Sequence, residues 1–297
     1  MKPRARRLPR QLLIFLGLLA AGTVLAAVRL PPLNEPASGV SLPGKFVWFD
    51  LATPAIENQK AFYSYVFGWS FVSPAPSDDQ YALILASGRA IGGIFSHEPP
   101  GGEQDGAVWI ALLSVPDTER AARAVEANDG RVELPPVRVP GRGHHALFRD
   151  PGGALFGVLR SDSGDPPDAE VAIGEILWVD LFARDPDGLA EFYSSLAPYE
   201  STVQTMAETI ERTLLSAHGM PRAGIVPVDE EANRSAWVPY VRVADVSETL
   251  DKVLAGGGFA IVPPDERLLD GNVAVFVDPN GGVTGIVRWD YTEALQP

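Results

Sequence analysis

The chain has 297 residues, 46% apolar and 21% charged, a composition that excludes a disordered or collagen-like polymer and leaves room for two ordinary domains. The absence of cysteine removes disulfide frameworks, thiolate nucleophiles, cysteine-ligated zinc and a lipid-modified N-terminal cysteine. The net charge of −14 becomes −19 once the five basic residues of the first ten positions (Lys2, Arg4, Arg6, Arg7, Arg10) are set aside, which argues against nucleic-acid binding and leaves cationic ligands tolerated or attracted.

Leu12 to Val28 is a run of 17 uncharged, mostly apolar residues behind that basic cap. At ~1.5 Å per residue it reaches roughly 25 Å, the short end of a membrane span. It also exceeds the ~7 to 15 apolar residues usual in a cleaved signal. Residues 1–28 therefore read as a signal peptide or a membrane anchor helix. Small residues around Val24, Ala26 and Ala27 suit cleavage, and the length suits retention. Either way the body beyond Arg29 is expected on the outer side of the cytoplasmic membrane, in the cell envelope. Residues 29–43, with four prolines and no regular period, read as an extended linker.

Strand-and-helix patterning then begins. Phe46, Trp48, Asp50 and Ala52 are predicted on one face of a strand, with Val47, Phe49, Leu51 and Thr53 on the other, so the strand is covered on both sides. Thr53 is a candidate cap and Pro54 a first-turn residue for a helix whose stripe is Ile56, Phe62, Tyr63, Val66 and Phe67, stopped by Gly68. Strands near 69–73, 81–86 and 90–96 complete a βαβββ module. A second module has strands at 109–115, 132–139, 144–149 and 154–160, and a helix over 117–128. Asp150-Pro151-Gly152-Gly153 is a hairpin turn within it. The polar stretch 161–173 divides a domain at 44–160 from another at 174–291, and 292–297 is a tail.

The second domain repeats the first. Trp178-x-Asp180-Leu181 echoes Trp48-x-Asp50-Leu51, and Phe192-Tyr193 echoes Phe62-Tyr63. Trp237 follows Trp109, and Asp278-Pro279-Asn280-Gly281 follows the earlier turn, each at a spacing of 128. A helix inside 243–258 carries Asp245 as its cap and Glu248 at the reciprocal capping position.

Lys60-Ala61-Phe62-Tyr63 with Phe67-Gly68-Trp69, the strand Gly88 to Ile94, and Asp150-Pro151-Gly152-Gly153-Ala154-Leu155-Phe156-Gly157 together resemble the vicinal-oxygen-chelate (VOC) superfamily of glyoxalases, bleomycin-resistance proteins and extradiol dioxygenases. The resemblance is to bacterial tandem members. It implies an α+β fold of two VOC domains, each an eight-stranded open cup built from two βαβββ modules, preceded here by the membrane or signal helix. It also implies divalent metal ligands on the first and last strands of the modules. Those positions hold Trp48, or lie at or beside Trp109, Trp178 and Trp237, and the last-strand glutamates fall at Gly157 and Gly285. None of these is a metal ligand, so neither metal nor cofactor is expected.

The candidate chemistry is an indole and a carboxylate on one strand face, Trp48 with Asp50 and Trp178 with Asp180. An enclosed carboxylate there has its pKa raised and becomes a base or a cation partner; otherwise it fixes the strand. The four tryptophans form a cage for an aromatic or cationic ligand, or fill cups that have lost a metal. Tyr240 accompanies Trp237, and His144 is the histidine offered to the first cup, its neighbour His145 pointing to the opposite face. The expected ligand set is thus Trp48, Asp50, Trp109, His144, Trp178, Asp180, Trp237 and Tyr240, with no catalytic residue assigned. Neither Gly92-Gly93 nor Gly256 to Gly258 has a nucleotide-loop pattern, and no Gly-x-Ser-x-Gly elbow occurs.

The expected function is metal-independent binding of an apolar or cationic small molecule by an exported or anchored monomer with pseudo-dimeric halves. A metal-dependent lyase or dioxygenase with displaced ligands such as His144, Asp50 or Glu98 is the enzymatic alternative, and a protein-interaction module is the third.

Overall fold

Two eight-stranded sheets of the same topology frame the described residues. The computed structural model describes residues 29–74, 81–97, 106–207, 210–229 and 235–291. The basic cap, the apolar stretch to Val28, Glu98 and the tail at 292–297 lie outside the described residues. No helix among the described residues is long and apolar enough to cross a membrane.

The first sheet contains β1 (Phe46–Thr53), β2 (Ser70–Val72), β3 (Tyr81–Ala86), β4 (Arg89–Ser96), β5 (Val108–Ser114), β6 (Arg131–Val139), β7 (Gly143–Arg149) and β8 (Leu155–Ser161), in the order β2-β3-β4-β1-β5-β8-β7-β6. The second contains β9 (Ile176–Ala183), β10 (Glu200–Ala207), β11 (Ile210–Ala217), β12 (Met220–Pro227), β13 (Ala236–Arg242), β14 (Phe259–Val262), β15 (Val273–Val277) and β16 (Val283–Val287) in the matching order β10-β11-β12-β9-β13-β16-β15-β14. In each sheet two modules meet along the antiparallel pair of their first strands, β1 with β5 and β9 with β13.

The α-helices among the described residues are α1 (Ile56–Phe67), α2 (Thr118–Ala127), α3 (Pro186–Leu196) and α4 (Val246–Ala255). Asp117, Asp185 and Asp245 cap α2, α3 and α4 by accepting a backbone N–H, which satisfies donors the helix leaves open. Glu248 does not reach back; it pairs with Lys252 one turn on. For α1 the expected cap fails as well. Thr53 remains in β1 and α1 begins at Ile56 with no side-chain cap, while Gly68 closes it at φ 70° with its N–H on Ser64 O.

The helices pack between the sheets, α1 against α4 and α2 against α3, so that each domain contributes one helix to each pair. One apolar core therefore runs through both domains and includes Phe62, Trp109, Phe156, Phe192, Trp237 and Phe276. Two quasi-equivalent polar contacts lock it. Tyr63 Oη donates to Asp278 Oδ2 at 2.9 Å and meets Thr284 Oγ1, which accepts from Trp109 Nε1 at 3.0 Å. Reciprocally, Tyr193 Oη donates to Asp150 Oδ2 at 2.9 Å and accepts from Trp237 Nε1 at 2.8 Å. The repeated Phe-Tyr pair and the repeated Asp-Pro turn are thus two halves of one inter-domain latch.

Residues 29–43 form no regular element and bend at 33–36, and they are not a free linker. Leu30 is 1% exposed and its N–H bonds Pro140 O at 3.0 Å. Further along, Asn34 Nδ2 donates to Gly164 O and Asp165 O, and Asp165 Oδ2 accepts from Leu42 N at 2.6 Å. The segment is a strap across the first domain.

Candidate functional site

The face of each sheet turned away from the latch forms a cup. In the first, a bulge in β1 between Phe46 and Trp48 sends Phe46 back toward Trp237, 4.6 Å between ring centres, while Trp48, Asp50 and Ala52 keep the cup face. The predicted single face of four residues is therefore broken at its first member, because an extra residue in one strand reverses the alternation. Alternation also decides β5 and β13. Trp109 and Trp237 share their faces with Ala111 and Val241 in the inter-domain core, and the cup faces carry Ile110 with Leu112 and Val238 with Tyr240. Trp109 and Trp237 are latch residues, not cup residues.

The histidine assignment changes for the same reason. Along β7, His145 lies on the face of Leu147, which is in the cup, and His144 on the face of Ala146 and Phe148, which is not. Of the eight residues expected to line ligand sites, the structure brings Trp48 with Asp50 together in one cup, and Trp178, Asp180 and Tyr240 in the other.

In the first cup Asp50 Oδ1 accepts from Trp48 Nε1 and Tyr81 Oη, both at 2.9 Å. Burial pushes the Asp50 carboxyl up, and the hydrogen bonds from Tyr81 and Trp48 with the charge of Arg142 pull it back in part. The Arg142 guanidinium lies 3.8 Å from the Trp48 ring centre. Leu30 from the strap, Leu112, Leu134, Val139, Leu147 and Leu159 fill the remainder, and Trp48 is 4% exposed.

The second cup reproduces the constellation with different strands. Asp180 Oδ1 accepts from Trp178 Nε1 at 2.7 Å, and burial pushes its carboxyl up against the opposing influence of Arg212, Trp178 and Tyr240. Arg212 comes from β11, with its guanidinium 5.4 Å from the Trp178 ring centre and Nη1 3.9 Å from Asp180. In the first cup the arginine comes from the β6–β7 turn and the tyrosine from β3; in the second the tyrosine comes from β13. A search for repeats cannot find such partners, and Tyr81, Arg142 and Arg212 carried no signal in the sequence. The packing also differs: the first cup's cluster has twelve buried apolar residues, Trp48 among them, whereas the second's has five and its Trp178 is only partly buried.

The donor set does not fit a divalent metal in either cup. Across the central strands Asp50 faces Gly93 and Ile110, and Trp48 pairs with Leu112 beside Gly157. Asp180 faces Gly224 and Val238, and Trp178 pairs with Tyr240 beside Gly285. Each cup row offers one carboxylate, already bound by an indole N–H, where a metal needs three or more N or O ligands. Gly285 is filled in by the Tyr240 ring and Gly157 by Leu112, either of which a Cβ there would strike. Among the described residues no group of three His, Asp or Glu is placed to hold a metal.

This topology, two βαβββ modules to a sheet and two sheets to a chain, is the one that the VOC resemblance implies. Residues 45–158, the first domain, match the model of the Glyoxalase/Bleomycin resistance protein/Dioxygenase superfamily, and that domain belongs to the family. It is 27% identical over 262 residues to the anthracycline biosynthesis protein DauV of Streptomyces sp. (strain C5), a match covering 83% of this chain and 94% of that one. Among solved structures it resembles the Mn(II)-bound glyoxalase from Novosphingobium aromaticivorans, with a TM-score of 0.58, 19% identity, and coverage of 84% and 83%. The 2,3-dioxygenase LapB from Pseudomonas sp. KL28 gives a TM-score of 0.57, 12% identity, and coverage of 85% and 94%. At such identities these two likenesses establish the fold.

Proposed function

We propose that this protein binds a small, largely apolar ring compound in its second cup without a metal. The observation that carries this reading is the difference between the cups. The first is packed by its own strap and arginine, with Trp48 one of twelve buried apolar residues, whereas the second has five buried apolar residues and leaves Trp178 partly open above a buried polar floor. An open apolar wall with a few convergent polar groups is the usual make-up of a ligand site. Arg212 beside the indole and an aspartate already engaged by Trp178 favour a neutral ligand bearing hydrogen-bond acceptors over a cation. A relative named for anthracycline biosynthesis is in keeping with a ring compound stacking on Trp178.

The test is a fluorescence titration of the purified chain against a panel of planar polycyclic compounds, with and without EDTA. Saturable binding unaffected by chelation, and weakened roughly tenfold or more by Trp178→Ala, is expected. Binding abolished by EDTA, or a stoichiometric divalent ion in the purified protein, contradicts the reading in favour of a metal-dependent enzyme. The body is further proposed to act in the cell envelope, delivered by residues 12–28. Protease added to spheroplasts is then expected to digest it, and full protection excludes that location.

A further inference from the structure

The first cup contains a buried cation whose hydrogen-bonding edge is unused. Arg142 is 0% exposed, and its Nε donates to Pro31 O at 2.7 Å. Its Nη1 and Nη2 are buried with no partner, and so is Nε2 of His145 on the same cup face. Asp50 acts on Arg142 through charge and makes no hydrogen bond to that edge; its Oδ1 accepts from Trp48 and Tyr81. Buried donors left unpaired are strongly unfavourable, and a guanidinium more so than a neutral group.

The strap closes over this edge through its backbone. Leu30 N–H bonds Pro140 O, and Gly141 sits at φ +84° with its missing side-chain position against the Leu30 carbonyl. Only glycine satisfies both the backbone conformation and the close approach.

We propose that the first cup is a closed site for one compact carboxylate, held end-on by Nη1 and Nη2 of Arg142 above Trp48, with His145 alongside and the strap Arg29 to Leu33 as its cover. The two parallel N–H bonds of a guanidinium edge match the two oxygens of a carboxylate. Stacking on Trp48 fixes the plane of that edge, and the anion supplies the hydrogen-bond partners that Asp50, coupled to Arg142 only by charge, does not. His145 adds no charge, because burial, with Arg142 and His144 nearby, pushes it down to about 3. Leu112, Leu134, Val139 and Leu147 are buried around the same cup, so the occupant has to be compact. This site does not depend on the second-cup reading.

The test uses the full chain in carboxylate-free buffer, with sodium formate and sodium acetate as probes and sodium chloride at equal ionic strength as control. Thermal midpoint and Trp48 fluorescence are followed, and a crystal soaked in formate is examined. A saturable rise in midpoint with either carboxylate and not with chloride is expected, weakened roughly tenfold or more in Arg142→Lys, whose ammonium cannot present a two-pronged edge. Leu30→Ser leaves Arg142 in place, so it serves if Arg142→Lys does not fold. It is expected to bind formate with faster exchange than wild type. No saturable rise in wild type, water alone on Nη1 and Nη2 in the soaked crystal, or unchanged exchange in Leu30→Ser overturns the proposal.

Discussion

Gly93 and Gly224 lie directly across from the two buried aspartates on adjacent parallel strands, and each exists as glycine because the carboxylate occupies its side-chain space. A Cβ at Gly93 strikes Asp50 and the Tyr81 hydroxyl, and Tyr81 is fully buried and cannot retreat. At Gly224 it strikes Asp180 and Arg212, whose long side chain is partly exposed and can yield. Gly93→Ala is therefore expected to cost about 1–3 kcal/mol, and Gly224→Ala less, measured as the shift of urea midpoints at constant slope. The sequence placed Gly92-Gly93 inside a strand, where they are, but the reason for a glycine at 93 lies in Tyr81, twelve residues away along the chain. The Trp-x-Asp pairs were legible because they repeat. Their arginines were not, since Arg142 and Arg212 reach equivalent places from non-equivalent turns and strands.

The latch elements carry a pH dependence that can be isolated. Asp150, at the tip of the β7–β8 hairpin, is pushed up to about 6, chiefly by burial, with hydrogen bonds from Ala154 N–H and Tyr193 Oη opposing. The folded chain holds this proton more tightly than the unfolded one, whose carboxyl titrates near 3.8, so acidification through 6 toward 4 favours folding and the gain is absent at pH 7. His145 acts in the opposite sense, because the unfolded imidazole near 6.5 takes a proton before the folded one at about 3. The difference between wild type and Asp150→Asn separates the two. The variant is expected to lose an acid-side gain on the order of 1–3 kcal/mol between pH 7 and pH 4, read from denaturation midpoints across pH. Equal slopes in both proteins would remove Asp150 from the account. Sequence reasoning took the Asp-Pro-x-Gly turn and the Phe-Tyr pair as marks of one module each. Their pairing across domains was hidden, because single-module periodicity says nothing about which helix packs on which.

At the scale of the whole molecule the two domains share one core, with Trp109 and Trp237 at its centre and backbone bonds from Ala107 N to Asn280 O and from Ser235 N to Gly152 O crossing it in both directions. The chain is expected to unfold in a single calorimetric transition with calorimetric and van't Hoff enthalpies equal; two separable transitions would mean that the halves are independent. Trp109→Ala is expected to cost about 3–5 kcal/mol in that transition without opening either cup. The tandem α+β architecture was readable in advance from the repeat spacing. Which cup is closed was not, because closure comes from a strap at residues 29–33 that reads as a plain proline-rich linker.

The division of labour between the cups is tested most directly by titrating the tightest polycyclic ligand into Trp48→Phe and Trp178→Phe side by side. The fluorescence response and affinity are expected to survive in Trp48→Phe and to be lost or weakened roughly tenfold in Trp178→Phe. Loss in Trp48→Phe with retention in Trp178→Phe would place the ligand in the first cup and contradict the assignment.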